Sequence, residues 1–98
     1  MKTIMLEWKT YKDTGTTLVF ACVGNERYPI TVNFQGIQGI LSKGEIALWA
    51  ENKSFEENKI MANKLFEAGI LEDTGHRISI KNKLIKKCKI LKKITKVV

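Results

Sequence analysis

Apolar and polar residues alternate with a period of two at the start of the chain. Between Thr3 and Thr10, Ile4, Leu6 and Trp8 fall on one side and Met5, Glu7 and Lys9 on the other. That is the pattern of a β-strand with one buried face. Asp13-Thr14-Gly15 supplies a turn. Thr16 to Val23 is rich in β-branched and aromatic residues and closes on Gly24-Asn25-Glu26, which predicts a second strand. Tyr28 to Phe34 predicts a third, with Tyr28, Ile30, Val32 and Phe34 alternating against Thr31 and Asn33. Pro29 has no N–H to donate and belongs at a strand start or a sheet edge. These three strands, joined by short glycine-bearing turns, make an antiparallel meander. The glycines of Gln35 to Gly44 fit a loop or a wide excursion, and Glu45 to Ala50 reads as a short, largely buried fourth strand.

The period then changes. From Ser54 to Ala68, Met61, Ala62, Leu65 and Phe66 recur at spacings of three and four, with Phe55 reaching the same stripe from the first turn. Ser54 with Glu57 has the capping-box spacing, and Glu56 and Glu57 suit the positive end of the helix dipole. Gly69 is placed for a left-handed C′ position, and Ile70 for the apolar contact of a Schellman ending. Leu71 to Gly75 reads as a turn, His76 to Ile80 as a short strand and Asn82-Lys83 as another turn.

The last segment has two readings. Wound as a helix, Leu84, Cys88, Leu91, Ile94 and Val98 share a side, and this spacing gathers more of the apolar residues. Drawn as a strand, Cys88 and Ile90 face inward against Lys87 and Lys89. With either ending, residues 1–98 form a single α+β domain: an antiparallel sheet of about four to six strands with one main helix packed on one face.

Composition narrows the class. The 98 residues are 44% hydrophobic and 28% charged, as in a soluble globular domain. The longest apolar runs, such as Leu18 to Val23, fall far short of the roughly 18–20 residues that span a bilayer. An acid already at Glu7 does not suit a secretory leader. A cytoplasmic protein without membrane contact is therefore expected.

The formal charge of +7 is unevenly distributed. Residues 1–76 hold eight Lys/Arg against ten Asp/Glu, a net of −2, whereas residues 77–98 hold nine Lys/Arg and no acid, a net of +9. Such a basic segment points to an anionic partner, either an acidic protein surface, a nucleoprotein complex or nucleic acid. Its contact residues would be Arg77, Lys83, Lys86, Lys87, Lys89, Lys92, Lys93 and Lys96. The plainer reading is a lysine coat that only solvates a small domain. Lysine is a flexible point charge without the planar fork that reads a base edge. Against DNA or RNA it would hold the backbone without specifying sequence. An exposed edge strand, either the one holding Pro29 or the last one, offers a way to pair two copies.

Little here points to catalysis. Cys22 and Cys88 are distant in sequence and His76 is the sole histidine, so the close-spaced ligand pairs of structural zinc are missing. No phosphate-binding glycine fingerprint or other cofactor motif is present. Cys22 lies in an apolar run and reads as a small hydrophobe. Cys88, between Lys87 and Lys89, would have a lowered pKa and react with oxidants if exposed. A Cys22–Cys88 disulfide is not expected in the cytoplasm. The carboxylate pairs Glu56/Glu57 and Glu72/Asp73 suit a helix start and a turn. A small enzyme would need His76 and a carboxylate in one concave polar pocket. Of the aromatics, Tyr11 and Tyr28 are the ones expected to be partly exposed, and no sequence-reading nucleic-acid motif is found.

Two stretches, Thr31-Val32-Asn33 and Ala68-Gly69-Ile70-Leu71-Glu72-Asp73-Thr74-Gly75, carry a resemblance. With Tyr28-Pro29-Ile30, Glu45 to Trp49 and His76-Arg77 between and beside them, residues of roughly 15 to 91 resemble small α+β proteins carried by phages, plasmids and conjugative elements of Firmicutes. The resemblance implies a mixed α+β fold with a short strand near Cys88 to Leu91 followed by a basic tail. It transfers no catalytic residue. Small phage proteins of this size are often inhibitors of host defence, including anti-CRISPR proteins. The expectation is thus a non-enzymatic phage or mobile-element protein that inhibits a host defence nucleoprotein through its basic surface. Direct, non-sequence-specific binding of DNA or RNA is the alternative, and a small enzyme using His76 a lesser one.

Overall fold

A computed structural model describes residues 3–50 and 56–97. The elements are β1 (Ile4–Thr10), β2 (Thr17–Val23), β3 (Glu26–Pro29), a 3-10 turn (Ile37–Gly39), β4 (Glu45–Trp49), α1 (Glu56–Glu67), β5 (Leu71–Ile80), β6 (Lys83–Ile90) and β7 (Lys96–Val97). The fold is α+β, and its strands divide into two antiparallel sheets, ordered β3-β2-β1-β7 and β4-β6-β5. The single sheet expected from the sequence is therefore two. No helix among the described residues is long and apolar enough to cross a membrane.

The alternation in β1 and β2 does what it predicts. Ile4, Leu6, Val19 and Ala21 point inward and are buried. They meet Ile46, Leu48, Leu71 and Cys88 of the second sheet and Ala62, Leu65 and Ile70 at α1, forming the main core. Helix α1 contributes Ala62 and Leu65 outright, with Met61 and Phe66 packed beside them, as the three-and-four spacing predicts. Its end is a Schellman motif. Gly69 takes φ +73°, its N–H reaches Phe66 O at 3.1 Å, and Ile70 N–H reaches Leu65 O at 3.0 Å. The Ser54 cap and Phe55 lie outside the described residues.

The strand expected over Tyr28 to Phe34 ends at Pro29. Ile30 N–H still bonds to Val19 O at 2.9 Å, but Val32 N–H bonds to Ala47 O at 2.8 Å. The chain has crossed from the first sheet to the edge of the second. Ile30 belongs to the main core, whereas Val32, Ile37, Ala47 and Ile85 form a second core, with Phe34, Leu41, Trp49, Ile78 and Ile80 around it. The alternation recorded burial along a connection, not strand pairing. Tyr11 Oη lies 2.9 Å from Thr31 Oγ1, and Asn33 Nδ2 donates to Asp13 at 3.1 Å, pinning that connection to the first turn.

Leu71 to Gly75 is not a turn but the first half of β5, paired with β6 through Leu71–Ile90, Glu72–Lys89 and Asp73–Cys88. The register shifts between Asp73 and Arg77, with Gly75 at φ +86° and its N–H on Asp73 Oδ1 at 2.8 Å. Turn-forming residues here build a bulge inside a strand. The last segment is a strand, as the resemblance implies, and not a helix. Residues 91–95 then lead back to β1, where Ile4 and Met5 pair with Val97 and Lys96.

The β5–β6 hairpin turns on Lys81 and Asn82, one residue earlier than expected, with φ +49° and +65°. Positive φ at both central positions is the type I′ requirement, which Asn meets more readily than Lys. Lys81→Asn is expected to stabilise the protein by up to about 1 kcal/mol. A denaturant midpoint that falls, while a β-branched Lys81→Val raises it, would contradict this turn geometry.

Candidate binding surface

β6 lies between β4 and β5 in the second sheet. Its side chains alternate between two buried environments. Cys88 and Ile90 face the main core, and Ile85, three residues before Cys88 and so on the other face, enters the second core. Both Ile85 and Cys88 are fully buried. The lysines between them are consequently divided. Lys86 shares the face of Cys88, while Lys83, Lys87 and Lys89 share the face of Ile85.

Several of the expected contact residues are already engaged. Arg77 on β5 holds Asp73 through two bonds, Nη1 to Oδ1 at 2.9 Å and Nη2 to Oδ2 at 2.7 Å. This fork, with the Gly75 N–H and the nearby Lys86 charge, draws the Asp73 carboxyl from 3.8 down to about 2. Lys87 Nζ lies 3.4 Å from Glu45 Oε1, with both side chains mostly covered. The Lys86 ammonium sits 4.8 Å from the centre of the Phe66 ring, and that of Lys83 5.2 Å from Trp49. Lys89 stands in register between Glu45 and Glu72. Lys92 and Lys93 lie on the connection after β6, and Lys96 lies on β7 beside Met5 in the first sheet.

The basic segment is therefore not one continuous surface. Arg77, Lys81, Lys83 and Lys86 lie toward the β5–β6 hairpin end, with Lys83 on the face opposite Lys86, while Lys92, Lys93 and Lys96 lie beyond β6. No acid occurs between residues 74 and 88. Lys81 was missing from the sequence-derived set, and its place at the tip of a turn was the signal that could have found it.

The remaining candidates separate cleanly. His76 is exposed on β5. The cavity between α1 and the ends of β3 and β4 is lined by other residues and not by His76. Cys88 is buried rather than reactive: burial, followed by the Asp73 charge, pushes its thiol up to about 11 despite Lys87 and Lys89 beside it in sequence. Cys22 is a free thiol, half-buried on the outer face of the first sheet. Tyr11 and Tyr28 are half-buried, as expected. That outer face also holds Phe20, capped by the Arg27 guanidinium at 4.1 Å, and Arg27 bonds Glu7 at 2.6 Å. Among the described residues no three metal-ligating side chains come together.

Comparison of the chain with protein-family models, with curated proteins and with solved structures finds no match.

Two measurements check this geometry. A thiol reagent should label Cys22 in the folded protein and reach Cys88 only on unfolding; prompt labelling of both would contradict the burial of β6. Asp73 has a folded pKa below its ordinary value, so its contribution is complete above about pH 5 and lost as pH falls toward 2. Asp73→Asn should lower stability near neutrality, and its gap from the unmodified protein should close between about pH 4 and 2. A gap that stays constant over that range would remove the Asp73–Arg77 pair from the account.

Proposed function

We propose that this protein is a non-enzymatic binding protein that docks on an acidic protein surface through the basic end of the β5–β6 hairpin. The observation that carries this reading is the acid-free stretch of residues 74–88, folded into a hairpin whose end holds Arg77, Lys81, Lys83 and Lys86. Only Arg77 of these four has a carboxylate partner among the described residues. Lys83 and Lys86 rest against Trp49 and Phe66, so part of their side-chain freedom is already spent before a partner arrives. Complementary charge would raise the encounter rate and orient the complex.

The distribution of cations favours a protein over nucleic acid. A phosphate backbone is best followed by a continuous basic track. Here Lys83 and Lys86 lie on opposite faces of one strand, and Lys92, Lys93 and Lys96 are set apart from both. A clasping hairpin suits an acidic groove or ridge. The resemblance to mobile-element proteins suggests the biological form of this reading, an inhibitor of a host defence nucleoprotein in the manner of anti-CRISPR proteins.

The test is affinity capture with the full chain and with a Lys81→Gln/Lys83→Gln/Lys86→Gln variant. A stoichiometric acidic protein should be recovered by the first, with affinity reduced about tenfold or more in the second. Recovery of nucleic acid alone, or undiminished capture by the triple variant, would overturn the proposal. For duplex DNA held by five lysines, log K would fall with log salt at a slope of about −4.5, which identifies that alternative.

A further inference from the structure

A cavity of about 280 Å3 opens where the first half of α1 faces the ends of β3 and β4. Its floor is apolar: Ile30, Leu48 and Ala62 line it and all three are buried. Ala62 and Ala50, both short, line it where the helix passes the sheet. The polar lining is of one sign. Lys59, Lys86 and Asn63 are among its polar lining residues, and none of the described lining residues is acidic.

The donors differ in how far they are committed. Asn58 already gives its amide to Pro29 O, and Thr31 Oγ1 is shared with Tyr11 Oη and the Val19 N–H. Lys86 rests on the Phe66 ring without a carboxylate partner among the described residues. The side chains of Lys59 and Asn63 form no hydrogen bond or ion pair with any described residue. An apolar pocket with a few convergent polar groups is the ordinary form of a small-molecule site. Two lysines and one amide over an apolar floor, with no arginine in the described lining, match a carboxylate on an apolar body.

We propose that this cavity is a binding site for a small organic carboxylate with an aromatic or branched apolar body, the carboxylate held by Lys59, Lys86 and Asn63 and the body resting on Ile30, Leu48 and Ala62. The site is distinct from the hairpin surface, with Lys86 alone common to both.

The test is an NMR titration of the full chain with phenylacetate, benzoate and 4-methylvalerate, with phenylacetamide and benzylamine as neutral and cationic counterparts. Saturable shifts centred on Leu48, Ala62 and the Asn63 side-chain amide are expected for at least one carboxylate. That carboxylate should bind about tenfold or more tightly than phenylacetamide. Lys59→Gln should weaken it about fivefold, and Ala62→Leu, which fills the cavity, should abolish it. Neither variant touches Lys81 or Lys83, so loss of carboxylate binding with partner capture intact separates this site from the docking surface. No saturable shift for any of the three carboxylates up to about 10 mM, or equal binding of phenylacetamide, would overturn the proposal. So would binding that survives both variants.

Discussion

A strand of eight residues, four of them lysine, runs through the middle of the second sheet with a core on each side. That constraint organises the molecule. Ile85 must enter one core and Cys88 the other, because burying either side chain is worth roughly 1–3 kcal/mol and burying an unpaired ammonium costs far more. A slip of one residue would put Lys86 and Lys89, or in the other direction Leu84 and Lys87, in the places of Ile85 and Cys88. The lysines thereby fix the register as firmly as the apolar residues do. The excursion between β3 and β4 exists to close the second core, with Ile37 of its 3-10 turn fully buried over Ala47 and Ile85.

The same constraint shapes the charge. A run of lysines that looks continuous in sequence becomes two faces and two ends in space. Part of it is consumed internally, as Lys87 settles on Glu45. What remains without a carboxylate partner among the described residues lies toward the hairpin turn, at Lys81, Lys83 and Lys86, and beyond β6, at Lys92, Lys93 and Lys96. The Asp73–Arg77 fork and the bulge beside it bend β5 at a sheet edge, which discourages indiscriminate strand pairing there.

Much of the fold was legible in the sequence. The period of two in β1 and β2 and the spacing of Met61, Ala62, Leu65 and Phe66 gave the right elements because one face of each meets a core. Gly69-Ile70 gave the helix ending because the Schellman bonds are local. Failures arose where burial and pairing part company. Ile30 and Val32 are both buried, but in different cores, so their alternation imitated a strand. Asp73-Thr74-Gly75 has turn chemistry spent inside a strand, where Thr74 Oγ1 donates to Lys87 O at 2.7 Å and Asp73 accepts from Gly75. The stretches that carried the resemblance, Thr31 to Asn33 and Ala68 to Gly75, turn out to be structural pins. Cys88, reactive only if exposed, faces the core, while Lys87 and Lys89 beside it in sequence lie on the other face of the strand. The candidate cavity left no sequence signal, since Lys59, Asn63 and Lys86 meet only through the tertiary fold.

Residues 83–90 form a central strand that buries Ile85 in one core and Cys88 in the other. Native-state amide hydrogen exchange measures it directly. The β6 amides around Ile85 to Cys88 are expected to exchange only with global unfolding, alongside those of β1 and β2, while those of Lys93 and Ile94 exchange early. Rapid exchange throughout 83–90, as from a solvated basic tail, would contradict it.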